Sequence, residues 1–315
     1  MSPKVVLDSY ARQRLASLDP NVDIYSLTLE EIRADFEVVP PGAVIPDAFV
    51  VDKVIHTEQG DINITVIRPL DSETQTLPVI LYLHGGGWVE GTKHSHSLIM
   101  HELAVHVHAA VVYVDYSRSP EVKYPVALEQ CFASLAWIAN KDNAASLSID
   151  ADKIAVAGDS SGGNLAAAVT LLDKQRKLSA IKYQILYYPV LDDDFDTPSY
   201  LEFQTGYSTT RKGMKFYWDQ YVTGEERRSI TACPLKAAVD DLKGLPPTYI
   251  VSVEADVLRD EAEEYARKLM EAEVDVVAVR TFGMLHAFFT KPVWSPSARA
   301  VIHQTAQLLH NAWGK

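Results

Sequence analysis

A serine between two glycines is the chain's strongest candidate nucleophile: residues 158–162 read Gly-Asp-Ser-Ser-Gly, with Ser160 at the centre. Residues 153–157, just before this motif, are apolar and rich in β-branched side chains, as in a buried strand, and residues 164–177 are rich in helix formers. A sharp turn from strand to helix strains the serine backbone and requires small neighbours two residues away. The pattern predicts a nucleophile elbow, with a glycine-rich turn without chemistry as the alternative.

Three consecutive glycines form a second candidate part of the site, in the sequence His-Gly-Gly-Gly-Trp at residues 84–88. Successive glycines expose backbone N–H groups, which are the donors that an oxyanion hole needs. We predict that Gly85 and Gly86 supply two donors, and that Ser161, the residue after the nucleophile, supplies a third. His84 lies upstream of the nucleophile and is predicted to fix this loop by hydrogen bonding.

A serine nucleophile needs a histidine base and a carboxylate that orients the base. After an elbow of this kind the expected chain order is serine, carboxylate, histidine. His286 follows a strand predicted at residues 274–280 and an exit loop, whereas His303 and His310 fall on an amphipathic C-terminal helix. The sequence therefore predicts His286 as the base.

Three carboxylates follow the strand predicted at residues 248–253, and each is a candidate for the acid: Glu254, Asp256 and Asp260. The carboxyl ends of parallel strands are where sites of open α/β sheets gather. Position alone leaves the choice open, although Asp260 is better placed to order the neighbouring loops.

These segments require a sheet and helices to hold them together. Strands interleaved with helices between residues 77 and 190 predict βαβ units and a mostly parallel sheet. Alternating apolar residues at 50–55 and 62–67 predict an antiparallel pair that leads into it. Thr28 and Glu31 have capping-box spacing and predict a short helix, which Pro and Gly residues at 39–42 break.

The two glycine motifs together resemble the hormone-sensitive-lipase-like esterases, the bacterial family IV branch of the α/β-hydrolases. Tyr188-Pro189 and residues 256–261 (Asp-Val-Leu-Arg-Asp-Glu) agree with this family in its order. The resemblance implies an α/β-hydrolase fold, with helices flanking a mostly parallel central sheet, and it assigns the acid to Asp256. Ser161 and Val257 depart from the alanine and proline that the family commonly has there.

The resemblance also implies one domain over residues 1–315, with a helical cap from about residues 1–45 and 191–235. It implies a serine carboxylesterase that hydrolyses short- to medium-chain esters through an acyl-enzyme on Ser160, without metal or other cofactor. Large aromatic residues near the site are expected to bind substrate: Trp88, Tyr188, Phe216 and Trp218. The alternatives are an amidase or peptidase with the same triad, or a non-catalytic small-molecule receptor, as in plant gibberellin receptors that lack the histidine.

Two clusters invite a metal-binding interpretation. Residues 192–196 are mostly acidic but lack the alternating ligand spacing of a calcium loop, which favours a solvated loop. A set of histidines lacks the spacing of a zinc helix, which favours solvated or capping roles. These histidines are His94, His96, His101, His106 and His108.

Composition limits the partners. A net charge of −13 argues against nucleic acid and anionic membranes as partners. The resemblance implies a small-molecule ester as the partner. Two cysteines, Cys131 and Cys233, make no disulfide framework. With no apolar signal segment or long apolar stretch, we expect a cytoplasmic protein, and a homodimer remains an open alternative to a monomer.

Overall fold

The computed structural model describes residues 5–19, 22–37, 44–289 and 295–314. Its centre is one twisted sheet whose strands are β1 (Phe49–Thr57), β2 (Gly60–Arg68), β3 (Leu77–Leu83), β4 (Ala110–Asp115), β5 (Ile149–Asp159), β6 (Ile181–Tyr187), β7 (Thr248–Ala255) and β8 (Val276–Leu285). The strands lie in the order β1-β2-β4-β3-β5-β6-β7-β8.

Helices surround this sheet. In the described part of the chain they are α1 (Ser9–Ser17), α2 (Leu29–Phe36), α3 (Ser97–Val107), α4 (Val126–Ala139), α5 (Lys141–Ser146), α6 (Ser161–Gln175), α7 (Pro198–Glu202), α8 (Arg211–Tyr221), α9 (Val239–Leu242), α10 (Arg259–Glu271) and α11 (Pro296–Trp313).

The sheet is antiparallel at one end and parallel over the rest. β2 pairs antiparallel with both β1 and β4, as predicted for the hairpin of residues 50–67. From β4 onward every neighbouring pair is parallel. The predicted mostly parallel sheet of an α/β-hydrolase is therefore confirmed.

Both faces of the sheet are buried, and β3 shows how. Val79 and Leu81 point into one apolar cluster, which also contains residues of α4, α6 and α10. Ile80 and Tyr82 point into the opposite cluster, with residues of α3 and α11. Helices on both sides explain why β3 is continuously apolar rather than alternating.

Four parallel strands end immediately before the residues singled out by their sequence motifs. β3, β5, β7 and β8 are followed directly by His84, Ser160, Asp256 and His286. Because carboxyl ends of parallel strands share one edge of a sheet, the topology brings these residues together. β8 is longer than predicted: residues 281–285, expected in an exit loop, belong to the strand.

Segments from the predicted cap contact one another above this edge. The capping box of Thr28 and Glu31 is confirmed at the start of α2. The ring of Tyr25 packs edge-on against Phe216 of α8 at 5.2 Å between centroids. The predicted break at residues 39–42 lies outside the described residues. The division into one domain with a two-part cap stays a prediction.

Candidate active site

The three side chains predicted as nucleophile, base and acid form one hydrogen-bonded chain. His286 Nε2 lies 2.9 Å from Ser160 Oγ, and His286 Nδ1 lies 2.7 Å from Asp256 Oδ2. A carboxylate can only accept here, so Nδ1 carries the proton and Nε2 is free to accept one from the serine. All three residues are buried, and Ser160 keeps 8% exposure. This is the geometry of a catalytic triad.

The backbone around Ser160 has the strain expected of a nucleophile elbow. Ser160 has φ 55° and ψ −120°, which is unusual for a residue with a side chain. A Cβ on Gly158 would lie 2.2 Å from the carbonyl oxygen of Gly162, and one on Gly162 would lie 2.0 Å from that of Leu83. Only glycine fits at either position, so the serine is held at the start of α6.

The rival carboxylates have other partners. Glu254 Oε2 accepts the backbone N–H of Gly283 at 2.6 Å. Asp260 Oδ2 accepts the N–H of Ser199 at 2.7 Å, which ties α10 to α7. Neither contact reaches His286, and the expectation that Asp260 orders neighbouring loops agrees with its bonds. Asp256 alone of the three candidates bonds to the histidine.

The oxyanion prediction for Gly85 is wrong. Its N–H donates to Asp159 Oδ1 at 3.0 Å and is therefore already engaged. A Cβ at Gly85 would also lie 2.5 Å from Asp159 Oδ2. Gly86 and Gly87 both have positive φ, a backbone conformation that glycine adopts without strain. The role predicted for Gly86 and Ser161 stays a prediction.

Asp159, the residue before the nucleophile, is a buried anchor for this loop. It accepts hydrogen bonds from the Tyr82 hydroxyl at 2.7 Å and from Gly85, and His96 Nε2 lies 3.5 Å away. Burial alone would raise the pKa of Asp159, but His96 and these donors hold its pKa below the usual value. A solvated role for His96 was wrong, because its side chain is fully buried against this carboxylate.

His84 fixes the loop as predicted. Its Nδ1 lies 2.8 Å from the carbonyl oxygen of Gly85, and its ring stacks on Tyr116 at 4.2 Å between centroids. Burial lowers the pKa of His84 to about 3, so the ring is neutral at physiological pH.

The side chain of Ser161, where the family commonly has alanine, joins the glycine loop to the nucleophile elbow. Ser161 Oγ accepts the backbone N–H of Trp88 at 3.1 Å. This bond connects the first residue of α6 to the end of the glycine loop. Alanine, the common family residue at this position, could not make it.

Three of the four predicted substrate-binding aromatics are fully buried core residues: Trp88, Trp218 and Tyr188. Trp88 and Trp218 are fully buried, and the Trp88 ring stacks on Tyr221 at 4.1 Å between centroids. Their predicted substrate contacts are wrong in this structure, because neither ring has any surface to offer. Tyr188 is 1% exposed and likewise offers no surface; its ring packs edge-on against the His286 ring at 4.9 Å and so borders the triad. Phe216 keeps 8% exposure, and its role stays a prediction.

Tyr217 is closer to the chemistry than its sequence context indicated. A Cβ on Gly87 would lie 2.2 Å from the Tyr217 ring, so this ring covers the glycine loop. The Tyr217 hydroxyl donates to Glu90 Oε1 at 2.6 Å. Burial, together with the Glu90 carboxylate, raises the pKa of Tyr217 well above its usual range, which keeps the phenol protonated. Helix α8 is thereby attached to the glycine loop, a contact that no local sequence pattern indicates.

Within the described residues, Asp192, Asp193 and Cys233 are the one group of three side chains close enough to share a metal ion. The ammonium group of Lys236 contacts both carboxylates and supplies the positive charge that balances them. The histidines between residues 94 and 108 form no such group in that part of the chain. Cys131 and Cys233 are both buried and unpaired.

The sequence matches the family described by the α/β hydrolase fold over residues 80–290. A solved esterase structure from Rhizomucor miehei superposes with a TM-score of 0.95 at 42% identity, covering 99% of this chain and 98% of the other. A thermostable esterase from Pseudomonas putida superposes with a TM-score of 0.93 at 35% identity, covering 99% of each chain. Carboxylesterase NlhH of Mycobacterium tuberculosis is 33% identical over 261 residues, which are 82% of this chain and 81% of that protein.

The chain therefore belongs to the α/β-hydrolase family, as the fold and the Ser-His-Asp geometry together define. Within that family it is a carboxylic ester hydrolase of the hormone-sensitive-lipase-like branch, and the resemblance seen in its two glycine motifs is confirmed.

Proposed function

We propose that this protein is a serine carboxylesterase that hydrolyses esters of short to medium acyl chains through an acyl-enzyme on Ser160. The observation that carries the proposal is the continuous hydrogen-bonded chain from Ser160 through His286 to Asp256. Small esters are the substrates of this family, and the esterase activity of its relatives agrees with the chemistry of the triad.

Acylation follows from the positions of the hydrogen bonds. His286 Nε2 takes the proton of the Ser160 hydroxyl as Oγ attacks the ester carbonyl carbon. Asp256 holds Nδ1–H and stabilises the imidazolium that forms. The imidazolium then protonates the departing alkoxide, the C–O bond breaks, and the acyl group remains on Oγ.

Deacylation repeats the same proton transfers with water as the nucleophile. His286 removes a proton from water, the resulting hydroxide attacks the acyl carbon, and Ser160 leaves with the proton returned by the imidazolium. Each half reaction passes through a tetrahedral oxyanion. Atoms and charges balance without a metal or cofactor.

The oxyanion is assigned to the N–H groups of Gly86, Gly87 and Ser161. Gly87 replaces Gly85, whose N–H is bound to Asp159. Gly86 and Gly87 lie beside each other in a loop held by the N–H groups of Val89 and Glu90, which donate to the Gly86 carbonyl. Ser161 adds a donor at the N-terminus of α6, where the helix dipole also favours negative charge.

The acyl side of the site is expected to be short. Tyr217 lies over the glycine loop and Tyr188 borders the triad, so bulky rings limit the space beside Ser160. Each added methylene contributes about 0.8 kcal/mol only while it finds apolar surface to bury. We expect a maximum of kcat/KM at acyl chains of about two to eight carbons.

The test is steady-state hydrolysis of 4-nitrophenyl esters from acetate to palmitate by the wild type and by Ser160→Ala. The wild type should peak at a short chain, and the variant should lose several orders of magnitude in kcat while keeping its melting temperature. Equal turnover by both proteins would contradict the proposal. Faster cleavage of matched 4-nitroanilides than of the esters would make the protein an amidase.

In the described part of the chain, no helix combines the length and the apolar character needed to cross a membrane. The cytoplasmic location and the alternative of a homodimer stay predictions, which cell fractionation and light scattering would test.

A further inference from the structure

The N-terminal helix α1 lies against the strand that ends at the proposed base. The backbone N–H of Asp8, the N-cap residue of α1, donates to the carbonyl of Gly283 in β8 at 2.9 Å. A Cβ on Gly283 would lie 2.9 Å from the carbonyl oxygen of Val6. The segment is thus packed too closely on β8 for any side chain between them.

One side chain of this helix reaches past the strand to the catalytic loop. Arg14 Nη1 donates to the carbonyl oxygens of both His286 and Ala287, at 2.8 Å each. More than 270 residues separate these partners along the chain, so the contact joins α1 to the loop that carries His286. Burial lowers the pKa of Arg14 to about 10, which leaves the guanidinium charged at neutral pH.

The backbone that Arg14 holds is strained. Ala287 has φ 58°, a left-handed conformation that a residue with a side chain adopts at an energetic cost. Its carbonyl and that of His286 both accept from the same charged nitrogen, and such charge-assisted bonds are stronger than neutral ones. Ser208, from the second part of the predicted cap, adds a longer bond of 3.3 Å to the His286 carbonyl.

Arg14 is half-buried, and part of its guanidinium is shielded from water. Arg14 Nε is buried and has no hydrogen-bond partner among the described residues. Nε loses its hydration on folding and gains no partner in return. An apolar side chain at this position could pack α1 against β8 without that cost.

We propose that Arg14 is a positioning residue for the hydrolysis: it fixes the backbone of His286 and Ala287 so that the imidazole stays aligned between Asp256 and Ser160. The inference rests on the proposed function of the triad. In consequence the N-terminal helix belongs to the catalytic apparatus, and not only to a covering over the substrate.

The test compares Arg14→Ala with Arg14→Lys and Arg12→Ala, in the full-length protein with 4-nitrophenyl butyrate. Arg12 lies on the same helix, is exposed and contacts only the carbonyl of Leu7 among the bonds described. We expect Arg14→Ala to lower kcat by about 100-fold with little change in KM, because a small misplacement of a catalytic group has that effect. Arg12→Ala should match the wild type, and Arg14→Lys should lie between.

Added guanidinium provides the decisive readout. At millimolar concentration it should restore part of the kcat of Arg14→Ala, whereas urea, a neutral molecule of the same shape, should not. Wild-type kcat in Arg14→Ala would overturn the inference. An equal loss of kcat in Arg12→Ala would also overturn it. So would a loss of kcat in Arg14→Ala that guanidinium does not restore, together with an equally low kcat in Arg14→Lys. Ser160→Ala run in the same assay separates the two proposals, because its activity bears on the triad alone.

Discussion

Four buried or half-buried carboxylates lie near the nucleophile, and each has a different task set by its partners. Asp256 orients the base, Asp159 anchors the glycine loop, Glu254 joins β7 to β8, and Glu90 holds Tyr217. Their chemistry is identical, so hydrogen bonding decides which of them acts in catalysis. This division makes the roles separable by isosteric substitution.

Asp256→Asn tests the acid role. The amide keeps the shape of the carboxylate but cannot stabilise the imidazolium, and it favours the wrong histidine tautomer. We expect kcat to fall by about four orders of magnitude with KM little changed, as loss of the orienting carboxylate does in serine hydrolases. Glu254→Gln, which can still accept the Gly283 N–H, is the matched control and should keep wild-type kcat. The reverse outcome would transfer the role to Glu254.

Ser161→Ala tests the bond between the elbow and the glycine loop. Without Ser161 Oγ the buried N–H of Trp88 loses its acceptor, a change that costs about 1–3 kcal/mol. We expect kcat to fall by about tenfold, because the oxyanion donors lose part of their alignment. Thr170→Val removes another buried hydroxyl of α6, whose bond stays inside the helix, and should leave kcat unchanged. An unaffected Ser161→Ala enzyme would show that the loop needs no such bond.

Among the elements of the fold, the ends of the strands supply the reacting groups. Two helices, α1 and α8, contact the loops that carry these groups. Helix α8 covers the glycine loop through Tyr217, and α1 reaches the base through Arg14. Both contacts join parts of the chain that are far apart in sequence. The space for the acyl chain and the alignment of the base therefore depend on how α8 and α1 pack against these loops.

Tyr217→Ala tests the covering role of α8. Removing the ring opens space beside Gly87, so longer acyl chains should find apolar surface that the wild type lacks. We expect the maximum of kcat/KM to move toward longer esters, and the advantage of the shortest ester to shrink. Tyr217→Phe keeps the ring and loses only the bond to Glu90, and it should keep the wild-type preference. An unchanged chain-length profile in Tyr217→Ala would place the acyl pocket elsewhere.

The strands and the elbow were predictable from sequence because apolar runs and glycine spacing are local signals. β7 begins at the predicted residue, Thr248, and the order of motifs located the triad. Tertiary pairing was not predictable: the N-H of Gly85 is taken by Asp159, and His96 is buried against the same carboxylate. Trp88 and Trp218 were misassigned because an aromatic side chain has the same pattern in a core as in a pocket. No spacing rule could connect Arg14 with His286.

At the scale of the whole molecule, burial on both faces of the sheet leaves ionisable groups in apolar surroundings. Glu261 of α10 is an example, with 2% exposure and one oxygen accepting the N–H of Leu191 at 2.7 Å. Burial, reinforced by the nearby Asp192 and Asp256 carboxylates, raises its pKa well above the usual value. The folded protein thus keeps a proton that the unfolded chain releases.

Glu261→Gln tests this linkage. Because the folded-state pKa is raised above the unfolded value of 4.5, the stability contributed by this group is present below pH 4.5 and is lost as pH rises toward the folded-state pKa. The amide can still accept the Leu191 N–H and does not titrate. Urea unfolding at pH 5 and pH 8 should show a smaller loss of stability in the variant than in the wild type. Parallel pH dependence in the two proteins would mean that Glu261 is ionised in the fold.

Hydrolysis should pass through an acyl-enzyme in which the acyl group of the ester is bound to Ser160, and this intermediate can be trapped. The protein is mixed with 4-nitrophenyl butyrate, quenched in acid within the first turnover and analysed by intact mass and peptide mapping. We expect a burst of nitrophenol and one butyryl group on Ser160, with neither in Ser160→Ala. A butyryl group on Ser161, or turnover with no acylated protein and no burst even when deacylation is slowed at low pH, would contradict it.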